Sequence, residues 1–194
     1  MAAGSLEAIF AALERAHVRY LVVGGVAVVL HGHPRFTADL DLVLALDAAN
    51  VRAALGALRA VGYMPRAPVP AEDLADPARR AEWVRTKGMT VFSLASPAHP
   101  ATEVDLFVEE PFPFAEAYSR AVRADLGAVC VWIASIADLV ANRARGFALH
   151  REAQRRAWLA LSYRERLAWL EEAKRFATGA LAAARRRRRG PAAG

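Results

Sequence analysis

Residues 19–44 read RYLVVGGVAVVLHGHPRFTADLDLVL, and how this stretch divides decides the fold. Tyr20 to Val23 is an apolar run with the length and make-up of a buried strand. Gly24 and Gly25 end it. Val26 to Leu30 is a second apolar stretch, read as a short helix, which His31, Gly32 and Pro34 break. Asp39-Leu40-Asp41 then leads into Leu42, Val43 and Leu44, a second strand.

On a strand, residues two apart share a face. Asp39 and Asp41 therefore point together while Leu40 and Leu42 point into the core. Two neighbouring carboxylates repel each other, more strongly in a low dielectric. Either solvent or a hard cation must offset this; Mg²⁺ is typically held by one or two carboxylates plus substrate phosphates. The spacing alone leaves both open. Gly24-Gly25 also has two readings. It is either a tight turn, or a place where a ligand approaches the backbone and the free N–H groups of a helix start face a phosphate.

Taken together, Gly24-Gly25 and the run HGxPRxTxDLD (His31, Gly32, Pro34, Arg35, Thr37, Asp39, Leu40, Asp41) resemble the minimal nucleotidyltransferases of the DNA polymerase beta-type superfamily. The match is to the branch containing AbiEii-type toxins. It covers roughly residues 18–108 and weakens towards 177. The resemblance implies an α+β (α/β) fold, a nucleotidyltransferase-like mixed β-sheet flanked by helices, with C-terminal helices. It also implies transfer of a nucleoside monophosphate from an NTP to a hydroxyl acceptor, with two Mg²⁺ ions. Asp39 and Asp41 would be catalytic metal ligands, and Gly24, Gly25 and the helix start would hold the β- and γ-phosphates.

The third catalytic carboxylate of such proteins lies on a strand beside the Asp-x-Asp strand. Asp105, within EVDLFV, reads alone as an edge or strand-end acid. The resemblance makes it that third group, as a metal ligand or as the base that activates the acceptor. Glu103 shares its face, either assisting or solvated; Asp105 ranks first because its flanks are apolar on both sides. Arg35 reaches a phosphate or makes a loop salt bridge, and Thr37 either offers its hydroxyl to the site or merely starts a strand. His31 reads as a helix-end residue. The resemblance places a phosphate-reaching lysine after a Ser-x-x-Asp-Leu turn. Here the segment is SIADLVANRARG and the position corresponds to Arg143, which keeps the charge and changes the geometry. An Arg-x-Lys-Asp continuation is replaced by GFALHREAQRR.

That change motivates an alternative, a non-catalytic nucleotidyltransferase-like protein that binds a partner protein or RNA. A third reading is an unrelated small α/β protein whose strand acids serve solubility. For the enzyme, the acceptor is open among a protein, an RNA such as tRNA, and a small molecule. A toxin–antitoxin role, with a cognate antitoxin or partner chain, follows from the branch alone.

Composition bounds these readings. The chain has 194 residues and is 55% hydrophobic, enough for one core with a helical appendage. We expect a nucleotidyltransferase-like domain over 1–134, a helical segment over 135–180 and a basic, disordered tail over 181–194. The single cysteine, Cys130, excludes an internal disulfide and fits a reducing compartment. With 5 histidines and that one cysteine there is no zinc constellation. Glu7, Glu14 and Arg15 interrupt the apolar N-terminus, and no uncharged run approaches a membrane span; the expectation is a cytoplasmic protein with no membrane partner. Residues 1–140 carry 12 Lys/Arg against 16 Asp/Glu, whereas residues 141–194 carry 14 against 4. The formal charge of +6 therefore lies in the last quarter. Arg185 to Arg189 is either a polyanion-binding tail or a solubilising one.

Along the rest of the chain, Leu6, Ile9, Phe10 and Leu13 form a helical stripe that Ser5 could cap. Asp47 opens a helix with Val51, Leu55 and Leu58 on one face, closed at Gly62. Residues 66–80 read as a loop with one helical turn near Glu72. Trp83 to Thr86 and Met89 to Leu94 read as two strands joined through Lys87-Gly88. Thr102 to Val108 is a strand, Phe114 to Val122 a helix and Ala128 to Ile133 a final strand. Ser135 caps a helix from Ile136 to Phe147, with Asp138 at the N3 position forming a near capping box. A last helix covers Tyr163 to Ala177.

Overall fold

The computed structural model describes residues 5–33, 37, 39–126 and 129–141. The chain divides into two units, Met1–Gly146 and Phe147–Gly194. The second unit lies outside the described residues, and with it the expected last helix and arginine tail. Arg35 and Arg143 lie outside them as well.

The first unit runs α1 (Ser5–Arg15), β1 (Tyr20–Val23), α2 (Gly24–Leu30), β2 (Asp39–Leu44), α3 (Ala48–Ala60), β3 (Met64–Pro65), a 3₁₀ turn (Ala71–Ala75), α4 (Pro77–Lys87), β4 (Val91–Ala95), β5 (Glu103–Phe107), α5 (Phe114–Ser119), β6 (Val122–Asp125) and β7 (Cys130–Ile133). Residues 136–141 are helical. The strands form one seven-stranded sheet in the order β3-β4-β5-β2-β1-β7-β6. It is mixed: β2 runs parallel to β5 and antiparallel to β1, and β1 runs parallel to β7.

β2 is central because its sequence can be buried on both sides. Leu40, Leu42 and Leu44 turn to one face, beside Tyr20 and Val22 of β1 and Val104 and Leu106 of β5. Helices α1 and α3 close over that face with Ile9, Phe10, Leu13, Val51 and Leu58. Each fully buried aliphatic or aromatic side chain contributes about 1.5–3 kcal/mol. On the opposite face Val43 packs with Leu21 and Val23 beneath Phe112, Phe114, Ala117 and Ala134. That apolar cover includes Val43 on β2 but neither of its aspartates.

Capping fixes the helix starts. The Asp47 carboxylate accepts from the Asn50 N–H at 3.0 Å, and Asn50 in turn holds the Arg19 and Ala45 backbone. The cap expected at Ser135 is present: the Asp138 N–H donates to Ser135 Oγ at 3.1 Å, and Ser135 Oγ donates to Asp138 Oδ2 at 2.6 Å.

Two sequence-based expectations are corrected. Trp83 to Thr86 belongs to α4, not to a strand. Asp76 caps this helix by accepting from the Ala78 N–H at 2.8 Å, Pro77 supplies its first turn, and Gly88 at φ +60° ends it in the left-handed conformation. Trp83 belongs to the inward face of this helix: it is buried and stacks on Phe92 at 5.6 Å. Val122 is likewise not helical. α5 ends at Ser119, and Val122 starts edge strand β6 opposite Ile133. The turn near Glu72 is the 3₁₀ segment. Among the described residues, no helix is long and apolar enough to cross a membrane.

Candidate active site

The parallel pairing of β2 with β5 decides where the acids meet. Asp39 stands opposite Glu103, and Asp41 opposite Asp105. Because side chains alternate along each strand, all four share one face. That face is the one on which Val23 and Val43 point away from the α1–α3 layer. Asp39 is exposed, whereas Asp41, Glu103 and Asp105 are half-buried.

The glycine turn sits against this row. Val23 pairs with Asp41, and Gly24 follows at φ +62°. A Cβ on Gly24 would lie 2.6 Å from Asp41 Cγ and closer still to Oδ2. A Cβ on Gly25 would lie 2.7 Å from Thr37 Cβ and collide with its hydroxyl. Both positions therefore exclude side chains, and the backbone comes directly onto the acid row. Thr37 Oγ1 donates to the Asp39 carbonyl at 3.3 Å. So Gly24, Gly25, Thr37, Asp39, Asp41 and Asp105 stand together at one end of the central strands.

Asp105 carries a clear electrostatic signature. Burial pushes its carboxyl above the ordinary carboxylate range, a hydrogen bond from Ser93 opposes the rise, and the charges of Asp39 and then Glu103 add to it. Arg66 pulls weakly the other way. Asp105 Oδ1 is buried with no hydrogen-bond partner, a costly state for a carboxylate oxygen.

Two of these neighbours escaped sequence reasoning. Ser93 sits opposite Asp105 across the β4–β5 pair; it is the polar residue between Phe92 and Leu94, and only the register gives it meaning. Arg66 follows β3, donates its backbone N–H to the Ser93 carbonyl at 3.0 Å, and grips both oxygens of Glu103 through Nη1 at 2.7 Å. Within a proline-rich loop of mixed charge, nothing local distinguished it. His31 is placed as a helix-end residue, its Nε2 within 2.9 Å of the Ala134 carbonyl.

The donor chemistry suits a hard divalent cation: carboxylate oxygens on one face, one of them buried and unsatisfied. Among the described residues, however, no three His, Cys, Asp or Glu side chains stand grouped closely enough to hold a metal ion. Adjacent strands are about 4.8 Å apart and same-face neighbours on a strand about 6.6 Å apart, which is the spacing the register gives the backbones of Asp39, Asp41, Glu103 and Asp105.

Neither a family model nor a curated protein matches the sequence. The fold does have a likeness. The crystal structure of a "putative nucleotidyltransferase" from Thermotoga maritima matches with a TM-score of 0.53 at 12% sequence identity, over 79% of this chain and 89% of that one. At that identity the likeness is one of architecture: the chain has a nucleotidyltransferase-like fold, a seven-stranded mixed sheet flanked by helices.

Proposed function

We propose that the protein is a metal-dependent nucleotidyltransferase that moves a nucleoside monophosphate from an NTP to a hydroxyl acceptor. The observation that carries this reading is the register match of Asp41 with Asp105 beside Gly24, on a nucleotidyltransferase-like fold. Asp39, Asp41 and Asp105 are the residues that would hold Mg²⁺. When bound, Mg²⁺ neutralises the triphosphate and the charge that develops at the α-phosphate.

The chain's own groups do the rest. Gly24 and Gly25 let the triphosphate approach the backbone where any side chain would block it. Thr37 lines the same approach. Asp105 also stands where it could take the proton from the acceptor hydroxyl as that oxygen bonds to the α-phosphorus and pyrophosphate leaves. Arg35 and Arg143 remain phosphate-contact candidates by resemblance alone. The acceptor class (protein, RNA such as tRNA, or small molecule) and a toxin role with a cognate antitoxin are proposals from the same source.

The experiment is incubation of the protein with each α-labelled NTP, a cell extract and Mg²⁺. We expect metal-dependent labelling that Asp39→Ala abolishes. Equal transfer by the Asp39→Ala protein would sink the proposal. One observation favours the second reading, a non-catalytic partner- or RNA-binding protein: the three acids do not close into a metal-ligating group as they stand. Absence of NTP binding with Mg²⁺ present would select it.

A further inference from the structure

The acid row has a cation built against it that the resemblance does not supply. Arg66 leaves β3 at the sheet edge, and its backbone N–H is tied to the Ser93 carbonyl. Ser93 stands opposite Asp105 and Asp39 opposite Glu103, so the β3–β4–β5–β2 pairings carry Arg66 to the margin of the carboxylate face. There its Nη1 lies 2.7 Å from each Glu103 oxygen. Both partners stay accessible, with side-chain exposures of 58% and 38%.

An ion pair this exposed contributes little to stability. Glu103 is therefore not needed to neutralise Arg66, nor Arg66 to bury Glu103. What the pair does is direct a five-donor planar cation towards the row, onto Glu103 and within electrostatic reach of Asp105. A guanidinium prefers phosphate oxygens arranged as a fork, and its hydrogen bonds to them are charge-assisted. The remaining N–H donors of Arg66 are not engaged by Glu103, whose two contacts both go through Nη1.

Resting on the nucleotidyltransferase reading, we propose that Arg66 is a triphosphate-binding residue, pre-positioned by Glu103 and turned onto the β- or γ-phosphate when Mg-NTP enters. Glu103 is then a positioning residue and not a metal ligand. This separates it from Asp105, two residues along the same face.

The test is calorimetric binding of a non-hydrolysable NTP analogue with Mg²⁺ to four proteins: the parent, Arg66→Ala, Arg66→Lys and Glu103→Gln. Binding of the matching NMP and thermal melting are measured alongside. With the parent binding, we expect Arg66→Ala to weaken triphosphate affinity about ten- to hundredfold, to leave NMP affinity and melting nearly unchanged, and Arg66→Lys to recover part of the loss. Glu103→Gln, which loosens the grip on Arg66, should weaken triphosphate affinity a few-fold and leave NMP affinity unchanged; triphosphate affinity equal to the parent's would overturn the positioning role of Glu103. If the parent binds and Arg66→Ala binds equally well, the Arg66 assignment is overturned while the nucleotidyltransferase reading stands. An equal loss for NMP and triphosphate also overturns it. A parent that binds no Mg-NTP removes both at once.

Discussion

Asp41 and Asp105 occupy the same register position on two adjacent parallel strands, with Gly24 pressed against the first and Ser93 facing the second. Two acids side by side in partial burial repel each other, at a cost to the fold that its two central strands accept.

The cost is measurable at Asp105. Its folded-state pKa is raised, by burial first and by Asp39 and Glu103 after the opposing Ser93 hydrogen bond. The folded protein then holds this proton more tightly than the unfolded chain. Stability from this group is complete below the unfolded carboxylate pKa and is lost as pH rises through the folded value. Asp105→Asn should therefore melt higher than the parent at pH 7–8 in metal-free buffer, and the gap should close towards about pH 4. Thermal melts across that range in chelator check this. A parent more stable than Asp105→Asn at neutral pH would contradict it.

Divalent cation should offset the same repulsion. Adding MgCl₂ or MnCl₂ should raise the parent's melting temperature, by the equivalent of about 2.7 kcal/mol at a hundred times the dissociation constant. Asp41→Asn and Asp105→Asn should each respond far less. Equal responses from all three proteins would place the cation elsewhere.

Gly24 tests how closely the turn approaches the acids. Its φ of +62° disfavours any L side chain by about 1–2 kcal/mol, and an alanine Cβ would also press into the Asp41 carboxylate. Gly24→Ala should cost at least that much in urea unfolding and should lower metal affinity. Gly88→Ala is the control: φ is +60° but nothing lies within 4 Å of the added Cβ, so only the stability loss should appear.

The Ser135 cap predicts a different pH profile. Arg120 Nη2 donates to Asp138 Oδ1 at 2.7 Å, and Asp138 is buried. Hydrogen bonds from Arg120 and Ser135 hold its carboxyl below the usual range despite that burial. A depressed folded pKa means stability that is present above the unfolded pKa and lost as pH falls through the folded one. Asp138→Asn should destabilise the protein at pH 7 and converge with the parent in acid, the opposite of Asp105→Asn. Ser135→Ala should cost about 0.5–2 kcal/mol in the same unfolding assay.

Local chemistry was legible where it acted over a few residues. The apolar run at Tyr20, the alternation at Asp39 to Leu44 and the Ser135 cap all appear where the sequence places them. The helix at Pro77 was misread although Asp76-Pro77 and Gly88 are its start and stop signals. The proline-rich run before it masks these signals, and the bulky apolar pair Trp83-Val84 reads locally as strand.

From the sequence alone came the residue types: three aspartates on apolar strands, a glycine pair, and hence an α+β domain with a mixed sheet. What the tertiary structure alone decided is which of them are neighbours. Strand pairing joins residues more than sixty positions apart, and a slip of one would turn Asp105 to the other face. That register, set by the packing of Leu40 and Leu42 against Val104 and Leu106, sets Asp105 opposite Asp41, and the β3–β4 and β4–β5 pairings bring Ser93 and Arg66 to the same row. No local pattern encodes it, because the free energy that selects it is the burial of two whole faces at once.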